Sequence, residues 1–348
     1  MSHRGIIDYI EALCDTVGYD EDSVFANQTP LYWDASMKEI YATLKYGATT
    51  WIVPKELFMF PVKLVEYLNE HKINTINWVV SALTMISSFG TFDIVKPEYL
   101  KIVTFCGEVF PIKQYNIWRS ELADAMFFNL YGPTEATGVS TYYYADRLFE
   151  DNEVIPIGKP FRGTDIILLP TDRTDTAVLS EVEDGEVGEI CIRGGSGVSL
   201  GYYGMSDKTD ECFVQNPLNP NYRDIVYLSG DLAYRDSEGN LIFTSRKDHQ
   251  IKHMGHRIEL GEIETNVDSV DGVTACCAIY SKLKNKIILY YVGDIEKSDL
   301  TRELKLRLPR YMLPNAIRKL DRIPLTVNGK KDRVKLNKIY EESINKKE

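Results

Sequence analysis

Asn129-Leu130-Tyr131-Gly132-Pro133-Thr134-Glu135-Ala136-Thr137 is the stretch that decides the fold. The apolar run Ala125-Met126-Phe127-Phe128 ahead of it predicts a buried strand, and Gly132-Pro133 forces a turn. One short loop therefore carries a ring, a hydroxyl and a carboxylate at a strand end, where open α/β sheets bind ligands. A flat ring stacks on a base. A hydroxyl and free backbone N–H groups hold phosphate, and a carboxylate holds a hard cation such as magnesium. An ordinary strand-to-helix turn has the same signature, so the remaining sequence must supply the other parts of a nucleotide site.

Upstream, strands alternate with helices. Helical spacing starts at Ile6-Ile7-Asp8-Tyr9-Ile10, with no strand before it, so the chain is expected to begin inside a domain. Met37 to Tyr46 is a helix ended by Gly47. Asp34, just before it, is either its N-cap or an anionic anchor for a cationic group. Trp51-Ile52-Val53, Ile73 to Val80 and Leu100 to Cys106 read as strands, and helices start at Pro61 and Ile112. This alternation predicts an α/β fold with a mostly parallel sheet.

Downstream the texture changes. From about residue 154 to 247 short strands and tight turns predict a small β-rich subdomain, including Thr164 to Leu169 and Gly188 to Arg193. Gly194-Gly195-Ser196-Gly197 is not followed by GK[ST], so it reads as a turn. Tyr227-Leu228-Ser229-Gly230-Asp231-Leu232 places a carboxylate on a hairpin, able to accept two hydrogen bonds from a diol. Residues 245–257 are dense in polar side chains and read as a linker at a domain boundary. They hold three of the five histidines, but Gly255 opposes the helix that would align His253 and His256 on zinc. The last hundred or so residues predict an α+β unit, with a helix over Ile258 to Val267, two strands, and a helix capped by Ser298.

Composition narrows the classes further. The chain has 348 residues, enough for two or more domains, and a formal net charge of -11. That balance argues against nucleic acid or an anionic membrane as a general partner. The six cysteines form no CxxC pair, and no apolar run is long enough to span a bilayer. The expected compartment is reducing cytoplasm.

Taken in order, five stretches resemble the adenylate-forming enzymes, in particular the amino-acid-activating domains of nonribosomal peptide synthesis. They are NLYGPTEAT at 129–137, GEICIRGGSGVSLGYYG at 188–204, YLSGDL at 227–232, SRKDHQIKHMGHRIELGEIE at 245–264 and NGKKDR at 328–333. Phe105-Cys106-Gly107-Glu108-Val109 and Arg310-Tyr311-Met312-Leu313-Pro314 are most similar to D-alanine–carrier-protein ligases. The resemblance implies a truncated large AMP-binding domain over 1–247 and a smaller mobile α+β domain over 248–348. It implies ATP and magnesium as cofactors. It also implies a phosphopantetheinylated carrier protein, supplied in trans, as partner to an amino-acid substrate.

It implies roles as well. Asn129, Tyr131 and Gly132 would lie at the nucleotide, with Tyr131 stacked on adenine. Thr134 would contact the α-phosphate and Glu135 would bind magnesium. Asp231 would hold the ribose with help from Arg246, and Lys330 would stabilise charge during adenylation. Asp248 would be the hinge and Gly255 would lie on the pantetheine path. Asp34 would pair with the substrate ammonium, in a pocket lined by Ala35, Lys38, Asn77, Thr104, Cys106, Leu130, Gly138 and Val139. Lys38 points to an acidic side chain such as glutamate; Cys106 points to the small D-alanine type. The family's Gly/Ser/Thr-rich phosphate loop, which lies just before the stretch matching Ser2-His3-Arg4-Gly5, is absent here, and Ser245 replaces a usual glycine. These departures leave open a second reading, a catalytically impaired fragment that binds AMP or ATP or needs a second chain.

Overall fold

The computed structural model describes residues 1–171, 180–194, 197–247, 250–325 and 331–345. The chain divides into two compact units, Met1–Lys247 and Asp248–Glu348. In the first unit, α1 (His3–Val17), β1 (Val24–Asn27), α2 (Met37–Tyr46), β2 (Thr49–Ile52), α3 (Pro61–Glu70) and β3 (Thr75–Val79) follow one another. Then come α4 (Val80–Ser88), β4 (Ile102–Cys106), α5 (Ile112–Glu121), β5 (Met126–Tyr131), β6 (Thr141–Tyr144) and β7 (Lys159–Pro160). These strands form one sheet in the order β2-β1-β3-β4-β5-β6-β7. It is parallel from β2 to β5 and antiparallel beyond.

Helices cover the sheet on both faces, because its strands are apolar on both. Ala26, Ile76, Trp78, Val103, Phe105 and Phe127 pack against α3, α4 and α5. Phe25, Ile102, Phe128 and Leu130 pack against α1 and α2. Local chemistry sets the helix ends. The Ser2 side chain accepts the Gly5 N–H at the start of α1, and Gly18 closes that helix in the left-handed region.

The second sheet is the β-rich part. It contains β8 (Asp165–Leu169), β9 (Gly188–Arg193), β10 (Phe213–Gln215), β11 (Ile225–Arg235) and β12 (Leu241–Arg246), with α6 (Ser206–Cys212) between β9 and β10. The order is β10-β11-β9-β8, with β12 on β11.

The second unit opens with β13 (Gln250–His253) and β14 (His256–Glu259) and continues with α7 (Leu260–Asp268), β15 (Val273–Ser281) and β16 (Lys286–Gly293). It ends with α8 (Lys297–Arg307), β17 (Ala316–Lys319) and α9 (Arg333–Asn345). Strand β16 lies between β15 and β17. One face of this sheet carries α7 and α8, the other α9.

Four sequence expectations change. Strand β1 was not foreseen: a four-residue buried parallel strand has no alternation to show. Residues Asn129 to Tyr131 belong to β5 rather than to the loop after it. The polar stretch 245–257 contains the division between the two units, and its described residues are mostly strand. It holds the end of β12 and the β13–β14 hairpin, whose two-residue turn has Met254 and Gly255 at φ 52° and 79°. Two positive φ values in succession match the twist of a tight hairpin. Ile258 is taken by β14, so α7 begins at Leu260, and α8 begins at Lys297 without a side-chain cap from Ser298.

The turn after β5 is built on close backbone approach. A Cβ on Gly132 would stand 2.5 Å from Ser140 N and Val139 Cα and 2.6 Å from Gly138 O. Gly132→Ala is therefore expected to cost about 2 to 3 kcal/mol and several degrees of Tm. A melting curve that overlays the wild type would show that the turn relaxes instead.

Candidate active site

The described candidate residues from Asp34 to Arg246 all lie in the first unit. The pleat of β5 divides them. Along a strand, successive side chains leave on opposite faces. Leu130 goes to the α1–α2 face with Val139, and Tyr131 goes to the other, with Ile157, Ile166 and Tyr227.

On the α1–α2 face, register lines up the pocket residues. Asn77 of β3 is paired with Thr104 of β4, and Cys106 of β4 with Leu130 of β5. Asn77 and Thr104 lie midway along β3 and β4 and are buried, while Cys106 ends β4. Asn77 Oδ1 accepts both the Tyr19 hydroxyl and the Thr104 hydroxyl at 2.5 Å. Lys38 of α2 is fully buried and donates to Cys106 Sγ at 3.3 Å. Burial pushes its ammonium down, but the Cys106 sulfur and the Glu39 and Asp34 carboxylates outweigh that and raise it overall. Gly138 is in the left-handed region at φ 99°, and a Cβ there would stand 2.9 Å from the Tyr9 ring.

Asp34 and Ala35 begin a short turn before α2. Asp34 does not cap that helix, whose N-cap position is Ser36. Its Oδ2 instead accepts the Thr134 hydroxyl at 2.7 Å.

On the other face, Tyr131 donates to Asp231 Oδ2 at 2.6 Å, and Arg246 Nη1 donates to Oδ1 at 2.6 Å. Register accounts for the second contact: Asp231 of β11 lies directly opposite Arg246 of β12. Ser229 fixes the irregularity within β11 by accepting the Asp231 N–H and donating to Ile190 O. Burial and the Asp231 carboxylate hold the Tyr131 phenol well above its ordinary range, so the ring stays neutral. Asn129 spends its amide on Pro156 O at 2.8 Å, holding the strand end in place.

Glu135 receives the Tyr202 hydroxyl on Oε1 at 2.6 Å. The same motif grips the loop again through Ser199 N to Glu135 O and Thr137 Oγ1 to Gly197 O. The sequence offered Tyr202 within GYYG but assigned it no role. Glu39 and Tyr19 were missed entirely, since neither lies in a quoted motif. Glu135 suits magnesium, which takes one or two carboxylates together with substrate phosphates. The close-packed turn at Gly132 and the carboxylate of Asp231 are equally suited to a nucleotide's phosphates and diol. Gly255 sits in the β13–β14 turn of the second unit. Lys330 and Asp248 lie outside the described residues.

The AMP-binding enzyme family matches residues 1–203, more than half of the chain. The chain belongs to that family. It is 33% identical over 336 residues to the D-alanine–D-alanyl carrier protein ligase of Bacillus licheniformis, covering 91% of this chain and 63% of that one. It is 31% identical to tyrocidine synthase 1 of Brevibacillus parabrevis over 96% of this chain and 29% of that one. A solved nonribosomal peptide synthetase protein containing adenylation and PCP domains superposes with TM-score 0.75 at 25% identity, over 91% of this chain and 53% of that one. The AMP-binding chain thus spans somewhat under two thirds of the Bacillus ligase. Among its described residues no helix is long and apolar enough to cross a membrane.

The Tyr131–Asp231–Arg246 group gives a direct test. Arg246 and Asp231 side chains are only 10% and 4% exposed, so removing one charge strands the other. Asp231→Asn is expected to destabilise the first unit by about 3 kcal/mol. Tyr131→Phe, which removes one neutral donor, is expected to cost about 1 kcal/mol. Denaturant midpoints measure both, and equal midpoints would mean that the pair is solvated.

Proposed function

We propose that the chain activates an amino acid with ATP as its aminoacyl-adenylate and then passes the acyl group to the phosphopantetheine thiol of a carrier protein. The observation that carries this is the 2.7 Å hydrogen bond between Thr134 and Asp34. In an amino acid one carbon separates the ammonium from the carboxylate. A site that joins that carboxylate to an α-phosphate must therefore keep its ammonium anchor beside its phosphate contact. Asp34 and Thr134 meet that condition, and neither is fully buried.

The remaining groups divide the work. Leu130 and Val139 wall the amino-acid side, with Asn77, Thr104 and Cys106 below them. On the nucleotide side Asp231 accepts the ribose hydroxyls, with Arg246 keeping it aimed. Tyr131 offers its ring to the base while its hydroxyl anchors it. The Tyr202 hydroxyl fixes the Glu135 carboxylate. Magnesium held by Glu135 and the phosphates would offset the repulsion between an attacking carboxylate and anionic phosphate. Lys330 would add positive charge where it develops, an effect that is usually large in such transfers. The substrate class suggested by the Bacillus licheniformis ligase is a small amino acid such as D-alanine.

Pyrophosphate exchange, run with single amino acids, tests the reading. Exchange is expected with at least one of them. Lys330→Ala should lower that rate by about two to three orders of magnitude. Thioester formation from preformed adenylate should survive the substitution. Silence with every amino acid, or equal loss of both half-reactions, overturns the proposal.

A further inference from the structure

Beside Lys38 the same helix buries a second charge-bearing group. Glu39 is 0% exposed, with both carboxylate oxygens sealed from solvent. It faces the polar residues of the sheet. The side-chain amides of Asn27 of β1 and Asn77 of β3 face it and draw its carboxyl down against the burial that raises it. Tyr9 of α1 and Tyr19, which follows that helix, also face it, and both phenols stay neutral because burial raises them far above their ordinary range. Across the cluster, the Asp34 carboxylate adds negative charge toward Lys38.

A buried ammonium and a buried carboxylate so placed must compensate each other, because neither has water to do it. Lys38 gives its hydrogen bond to Cys106 and not to Glu39. The two are therefore coupled through charge and not through a hydrogen bond, which leaves the Lys38 head turned toward the pocket residue.

We propose that Glu39 is a specificity-determining residue: as the internal counter-ion of Lys38, it offsets the lysine charge and so selects an amino acid with an uncharged side chain. This rests on the activation reading above and sharpens its substrate class. It also reconciles the two pocket residues that point different ways, since a lysine already balanced from below does not demand an acidic ligand. Burial raises the Glu39 carboxyl to about 7, against which Lys38 lowers it. The balance is therefore complete above neutrality and fades below it.

The test is binding of two non-hydrolysable analogues, alanyl- and glutamyl-sulfamoyladenosine, measured by calorimetry on wild type and Glu39→Gln. At about pH 8 the wild type should prefer the alanyl analogue, and E39Q should shift the ratio toward the glutamyl analogue by about tenfold or more. The wild-type ratio should drift the same way between about pH 8 and pH 6, while E39Q stays flat. Asp34 and Cys106 are present in both proteins and cancel in the comparison. A merely structural Glu39 would change Tm without changing the ratio. The Tm difference itself should grow in favour of E39Q as pH rises through 4.5 to 7, because there the unfolded wild type releases a proton that its folded, buried carboxyl keeps. An unchanged ratio in folded E39Q, or a pH-independent wild-type ratio, overturns this inference alone. Failure of both analogues to bind wild type overturns the activation reading instead.

Discussion

Two neighbouring side chains, Leu130 and Tyr131, leave the end of β5 on opposite faces of the sheet, and the arrangement of the site follows from that alternation. It comes from the pleat itself and cannot be tuned by side-chain choice. One face looks toward α1 and α2, the other toward the β-rich sheet that carries Asp231. The turn that follows has no room for a side chain at Gly132, so Thr134 is brought back over the strand ends to meet Asp34. A one-residue slip in β5 would exchange the two faces and scatter both halves of the site.

Around that pivot the polar groups are held by protein before any ligand arrives. Asp231 is aimed by Tyr131, Arg246 and Ser229, and Glu135 by Tyr202. Such preorganisation removes the reorganisation cost that solvent would impose at the moment of reaction. It also explains why the motifs occur as distant blocks. Each supplies one clamp on a residue from another: 197–202 on the loop after β5, and β11 with β12 on the ring of Tyr131.

Much of this was legible in the sequence. The α/β alternation, the family and the five motif blocks come from patterns with known periods and turns. What escaped reading has physical reasons. Strand β1 is too short and too evenly buried to show a period, and the Met254-Gly255 turn lacks the Asn-Gly or Asp-Gly signal of a hairpin. Glu39 was invisible because, at a helix position beside Lys38, a glutamate usually belongs to the solvent face. Only the packing of α2 onto the ends of β1 and β3 reveals that both charges point inward. Ser298 misled for the opposite reason: it is a good capping residue one position inside the helix.

The second unit holds Cys276 and Cys277 side by side on β15, and the pleat sends them apart. Cys276 is sealed beneath α7 and α8, Cys277 beneath α9. Burial pushes both thiols up, Cys277 to about 12, so neither is a nucleophile while the sheet is covered. Adjacent in sequence yet separated by the thickness of a sheet, they record different events. A reagent that reaches Cys277 has passed the last helix, and one that reaches Cys276 has passed the other pair. The unit thus carries, in two consecutive letters, a separate witness to the opening of each of its layers.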